Sequence, residues 1–145
     1  MEKVIHVYTD GASRGNPGKS AIAFVITDEK GNIIKEEAKF IGECTNNIAE
    51  YSALILALNE AKNISKKIVC FSDSKLMINQ LIGAYKVKKS HIKELFAKVK
   101  KLEKLFESVE YRNVPRTNPF IKKADYMVNK ILDKFSQKVP QKQVI

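Results

Sequence analysis

Four carboxylates, Asp10, Glu50, Asp73 and Asp125, occupy positions from which they could share one cleft. Asp10 follows Val7-Tyr8-Thr9 and Asp73 follows Cys70-Phe71-Ser72, so each falls at the C-terminal end of a short β-branched or aromatic run. In open α/β sheets that edge is where ligands bind. Glu50 is expected in the first turn of a helix. Asp125 lies beside the apolar stripe of another helix, one turn after Ile121 and one turn before Val128. Four carboxylates so placed make an oxygen-rich site suited to Mg²⁺ or Mn²⁺. Zinc is disfavoured, because Cys44 and Cys70 have neither metal-ligand nor disulfide-framework spacing and only His6 and His91 are available.

Each acid also has a plainer explanation. Asp10-Gly11 fits a turn, Asp73-Ser74 an N-cap pair, Asn47 with Glu50 a capping box, and Asp125 an ion pair with Lys122 or Lys123. Singly these are the better bets. Together they give no reason for all four acids to fall where one cleft could form.

The elements that must position these side chains can be read in order. Val4 to Tyr8, Ala21 to Thr27 and Ile33 to Ile41 read as strands, the last two joined by the turn residues Asp28 to Asn32. Asn47 to Lys62 changes to a helical period, with Ile48, Tyr51, Leu54, Ile55 and Leu58 on one face. A strand at Ile68 to Phe71 and a helix from Ser74 to about Ile82 follow. Ser90 is expected to cap a helix striped by Ile92, Leu95, Phe96, Val99, Leu102 and Phe106. Val109 to Val114 is the last strand, Pro115 to Pro119 a loop, and Phe120 to Phe135 the last helix. The order βββαβααβα predicts an α/β fold, a mixed sheet covered by helices.

The length of 145 residues suits one domain, assigned to 1–138, with 139–145 as a frayed tail. Hydrophobic residues at 44% and charged residues at 29% exclude wholesale disorder. No apolar run is long enough to cross a bilayer and the start lacks a signal-peptide core, so a cytoplasmic protein is expected. The net charge of +10 is unevenly held: residues 1–83 carry 10 basic and 10 acidic side chains, residues 84–145 carry 16 and 6. That surplus, which includes Lys98, Lys100, Lys101 and Lys104, suits a polyanionic partner. A solvated helix face is an equal alternative on charge alone.

Gly11 to Ser20 ends in Gly-Lys-Ser after a strand, which approaches a phosphate-binding loop. Two features count against it. The position needing the first glycine is Ser13, and the segment that follows is strand-like where a helix N-terminus is required. The glycines more simply shape a hairpin.

The chain resembles the type I ribonuclease H family over nearly its whole length. The matching segments are Tyr8-Thr9-Asp10-Gly11 with Asn16-Pro17-Gly18, Thr45-Asn46-Asn47-Ile48-Ala49-Glu50, Ser72-Asp73-Ser74 and Ala124-Asp125. The resemblance implies the ribonuclease H-like fold, a five-stranded mixed sheet whose first three strands are antiparallel, flanked by helices. It also implies a metal-dependent endonuclease that hydrolyses the RNA strand of an RNA/DNA hybrid to 5′-phosphate and 3′-hydroxyl ends. By position, Asp10, Glu50, Asp73 and Asp125 would hold two Mg²⁺ or Mn²⁺ ions, one activating water and the other stabilising the departing 3′ oxygen. Asn16, Asn46 and Asn47 match residues contacting the hybrid and Thr45 a position gripping a DNA phosphate. Lys75 and Tyr85 complete the expected binding set, and a monomer is expected.

Three features depart from the family pattern. The stretch before Ser90 is too short for the basic protrusion of some members, leaving Tyr85-Lys86-Val87-Lys88 as a reduced surface. The loop before Asp125 carries Arg116 where many members have histidine, and an arginine cannot shuttle protons; Arg116 is still counted among the catalytic candidates. Ile121 stands where many members have asparagine. Two rival readings remain, a catalytically weak hybrid-binding module and a related nuclease cutting double-stranded RNA or DNA.

Overall fold

The computed structural model describes residues 3–136. The expected tail at 139–145 lies outside them. Three strands open the chain: β1 (Ile5–Gly15), β2 (Gly18–Asp28) and β3 (Ile33–Cys44). The helix α1 (Asn46–Ala61) leads to β4 (Lys67–Ser72), followed by α2 (Lys75–Leu81), α3 (Ser90–Glu103), β5 (Ser108–Asn113) and α4 (Pro119–Ser136). The five strands form one sheet in the order β3-β2-β1-β4-β5, antiparallel across β1, β2 and β3 and parallel across β1, β4 and β5. The element order and mixed sheet match the sequence expectation.

Side-chain alternation explains why both faces of the sheet are covered. Val7, Phe24, Ile26, Ile68 and Cys70 pack with Tyr51, Leu54 and Leu58 of α1 and with Ile92 and Val99 of α3. The neighbouring residues Tyr8, Ala23, Val25 and Phe71 turn the other way, onto Ile121, Ala124, Val128 and Leu132 of α4. One strand period thus feeds two hydrophobic layers. Tyr8 and Phe71 stack at 4.6 Å between ring centroids, which locks β1 against β4 on the α4 side.

Several boundaries differ from expectation for identifiable reasons. β1 does not stop at Asp10 but runs on to Gly15, because Ala12 and Ser13 find partners in Ala21 and Ser20 of β2 and the reversal occurs at Asn16-Pro17. The Asn16-Pro17 peptide is cis. The pairing of β1 with β4 nevertheless ends at Tyr8 and Phe71, so Asp10 still lies just beyond the parallel edge. Ser90 is the first residue of α3 rather than its cap; Lys89 holds the cap position and makes no side-chain capping bond. Phe106 is buried but lies past the end of α3. The expected turn between β2 and β3 is present, with Asp28 Oδ1 accepting from the N–H groups of Lys30 and Asn32, both at 2.9 Å.

Candidate active site

Three carboxylates meet where the sheet and the first helix come together. One oxygen from each of Asp10, Glu50 and Asp73 lies within 4.8 Å of the others. Asp10 reaches the site from β1, just after its parallel pairing ends. Asp73 follows the last residue of β4, and Ser74, not Asp73, caps α2 by accepting from the Met77 N–H at 3.2 Å. That division of labour leaves the Asp73 carboxylate outside the helix cap.

Glu50 is the fifth residue of α1, hence one turn deeper than the expected first turn. The cap of α1 is Thr45, whose Oγ1 accepts from the Ile48 N–H at 3.3 Å. Glu50 therefore takes no part in a capping box. Its Oε1 accepts instead from the Gly11 N–H at 3.0 Å. A Cβ on Gly11 would lie 2.4 Å from the Ala49 carbonyl oxygen, so only glycine lets β1 pass this close to α1.

Asp125, on α4, lies outside the three-carboxylate group but close enough for its charge to act on both Asp10 and Asp73. It does not pair with Lys123, which bridges to Glu36 at 3.3 Å. Its Oδ1 accepts from Asn129 Nδ2 at 3.2 Å. Arg116 stands exposed in the loop before α4, and its guanidinium opposes the upward shift of Asp10 and Asp73.

Burial dominates the electrostatics. It pushes the Asp10 carboxyl up to about 8, with the charges of Asp73 and Asp125 adding to the shift. Glu50 is raised well above the ordinary range, first by burial and then by Asp10 and Asp73, while the Gly11 N–H pulls it down. Asp73 is raised by burial and partly restored by Arg116. Asp10 Oδ2 is buried and has no hydrogen-bond partner among the described residues. An orphaned carboxylate oxygen facing two further carboxylates is costly without a cation, and a hard divalent ion answers that donor set.

The remaining expected residues divide. Asn16 sits at the β1–β2 reversal, where its Oδ1 accepts from the Asn46 N–H at 2.9 Å, and Asn46 Oδ1 accepts from the Ser13 N–H at 3.2 Å. The hairpin tip is thereby tied to the start of α1. Asn47 and Tyr85 line a groove of about 610 Å³ that also takes in Glu50, Lys86, Lys88 and Lys89. Lys75 is exposed at the start of α2 and is not part of that lining.

The lysine-rich helix is placed less favourably than its charge suggests. Lys98 and Lys101 border a separate hollow with Asn59, nine residues beyond Glu50 along α1, or about 13 Å. Lys100 turns inward, donating to the Leu81 carbonyl at 2.7 Å and to Glu103 at 3.3 Å. It secures the end of α2, as a cation near a helix C-terminus does. Sequence reasoning missed Gln80, a buried groove residue that accepts from the Tyr51 hydroxyl at 2.7 Å. The available signal was an amide among Met77, Ile78 and Leu81.

Comparison with known proteins agrees with this geometry. The family model described as reverse transcriptase-like matches residues 8–131. The chain is 34% identical over 151 residues to a ribonuclease H of Clostridium botulinum, covering 94% of this chain and 99% of that protein. It is 37% identical over 130 residues to ribonuclease HI of Halobacterium salinarum, covering 89% of this chain. The chain spans 64% of the Halobacterium protein and 36% of a bifunctional protein of Mycobacterium tuberculosis that it also matches. Among solved structures, LC11-RNase H1 in complex with an RNA/DNA hybrid aligns with a TM-score of 0.86 and 40% identity, over 92% of this chain and 99% of that one. The Halobacterium salinarum RNase H1 structure gives 0.86 and 36%, over 90% and 98%. A family model spanning most of the chain, a full-length relative and a shared fold thus agree with the clustered acids, and the chain belongs to the type I ribonuclease H family.

Proposed function

We propose that this chain is an endonuclease that hydrolyses the RNA strand of RNA/DNA hybrids, leaving 5′-phosphate and 3′-hydroxyl ends. The observation that carries the reading is the convergence of Asp10, Glu50 and Asp73 from three elements, with a buried unpartnered oxygen on Asp10. These three residues, joined by Asp125, would hold two Mg²⁺ or Mn²⁺ ions. When bound, such ions supply an activated water and charge stabilisation for the departing 3′ oxygen.

The chain's own groups do the remaining work. Asp10 and Glu50, held rigidly by β1 and by the Gly11 N–H, fix the donor geometry and need little rearrangement. Arg116 brings a guanidinium beside Asp10 and Asp73 that attracts phosphate, and a group that only donates hydrogen bonds does not act as a proton shuttle. Asn16, Asn46 and Asn47 bring amide and backbone groups to the hairpin–helix junction, where 2′-hydroxyls can be tested across a shallow groove. Thr45 belongs to the same junction and grips a DNA phosphate. The groove lined by Tyr85, Lys86, Lys88 and Lys89 takes up the nucleic-acid backbone, and Lys75 adds charge nearby. Residues 1–138 act as one domain, as a monomer in the cytoplasm.

The deciding experiment offers labelled RNA/DNA hybrid, double-stranded RNA and double-stranded DNA, each with Mg²⁺, Mn²⁺ or chelator. Metal-dependent scission of the hybrid's RNA strand alone is expected. Hybrid binding without scission would make the chain a binding module, and comparable cutting of either homoduplex would reassign its substrate. Among the described residues no helix is long and apolar enough to cross a membrane.

A further inference from the structure

The carboxylate that stands apart from the other three is connected to the β1–β2 hairpin by a chain of polar contacts. Asn129 lies one turn after Asp125 on α4, and its Nδ2 donates to the Asp125 carbonyl at 3.0 Å and to Asp125 Oδ1 at 3.2 Å. The other end of the same amide, Oδ1, accepts from Arg14 Nη2 at 3.1 Å. Arg14 also reaches the Asn129 carbonyl at 3.4 Å and pairs with Asp133 Oδ1 at 2.7 Å.

An amide has one donor end and one acceptor end, and a guanidinium only donates. Arg14 therefore demands the oxygen of Asn129, which leaves the NH₂ group for Asp125. We infer that Asn129 is a positioning residue for the Asp125 carboxylate and that Arg14 sets the direction of its amide. This inference rests on the proposed hydrolysis only for its kinetic consequence. Its structural content belongs to the chain without metal or substrate.

The contact has a functional logic. A neutral amide restrains one oxygen of Asp125 without neutralising the carboxylate, so the charge remains available to the site. A lysine or arginine at position 129 would offer a salt bridge instead and compete with a cation for the same oxygen. Arg14 is two residues from Asn16, so the hairpin that touches α1 through Asn16 touches α4 through Arg14. Substrate contact at the hairpin and placement of Asp125 thus share one rigid element.

Two measurements test this. In the full chain labelled with ¹⁵N-asparagine, free of metal and nucleic acid, the Asn129 side-chain signals are identified by their loss in Asn129→Ala. They should shift in both Arg14→Ala and Asp125→Ala; signals unmoved in either variant would overturn the inference. In steady-state cleavage of hybrid, Asn129→Ala should lower kcat about fivefold with KM unchanged. Placed on an Asp125→Asn background, it should cause no further loss. Independent, multiplying losses would remove the positioning role while leaving the proposed function intact. A wild-type chain that cuts no hybrid would remove the proposed function, and the amide signals would still decide whether Asn129 holds Asp125.

Discussion

The backbone N–H of Gly11 donates to Glu50 Oε1 at 3.0 Å, joining residues 39 positions apart where β1 and α1 leave no room for a side chain. Gly11→Ala should cost roughly 3 kcal/mol, since its Cβ would meet backbone atoms of Ala49 that cannot step aside. The loss is read by urea denaturation. Any folded fraction should have little activity, because relief of the clash moves Glu50.

In chelator, thermal stability should fall as pH rises from about 5 to about 8.5. The sign follows from proton counts. Unfolded Asp10 ionises near its ordinary 3.8 whereas folded Asp10 holds its proton up to about 8, so the folded chain binds more protons across that window. The stabilisation is complete below the unfolded value and is lost as pH passes the folded one. Glu50 and Asp73 are shifted in the same direction. Asp10→Asn should flatten this slope, raise alkaline stability by on the order of 1–3 kcal/mol, and abolish cleavage. Mn²⁺ should restore wild-type stability at pH 8 but do less for the variant. A flat wild-type melting profile in chelator would contradict the burial argument.

Lysines beside the groove should matter more for substrate than lysines on α3. Replacing Lys86, Lys88 and Lys89 with Gln should raise KM and reduce the salt slope of binding by about two to three units. The same change at Lys98, Lys101 and Lys104 should have a smaller effect. Lys100→Ala should behave differently from both, lowering the melting temperature through loss of its bonds to Leu81 and Glu103. KM values across a salt series, with melting curves, separate the three cases.

Arg116→Ala should reduce kcat/KM about tenfold, or about 1.4 kcal/mol, with Arg116→Lys recovering much of it. Loss of the guanidinium also removes what opposes the raised Asp10 and Asp73 carboxyls. The chelated variant should therefore lose stability more steeply with rising pH than the wild type. Wild-type kinetics in Arg116→Ala would reduce the loop arginine to a surface charge.

Strand and helix order was legible in the sequence because apolar patterning carries it: the short unbroken apolar run Ala21 to Ile26 suits a strand buried on both faces, whereas Tyr51, Leu54 and Leu58 recur at helical spacing. Asp10 was expected to end its strand because Asp-Gly ordinarily signals a turn. Here β2 supplies partners for five further residues, and the glycine serves a helix crossing instead. Tertiary contact likewise decided Lys100, whose charge pattern suits a solvated face but whose ammonium lies over Phe96, 5.3 Å from the ring centroid. The separation of Asp125 from the other acids depends on where α4 docks, which no local pattern reports.

Tyr8 faces Phe71 in the parallel register that stops just short of Asp10 and Asp73. Because successive residues of a strand point to opposite sides, a slip of β1 by a single position against β4 would send Asp10 toward α1 and bury Thr9 or Gly11 among the α4 residues. No partly misaligned sheet can retain a working set of carboxylates. The specific activity recovered after refolding therefore counts correctly registered molecules, while circular dichroism would score slipped and native sheets alike.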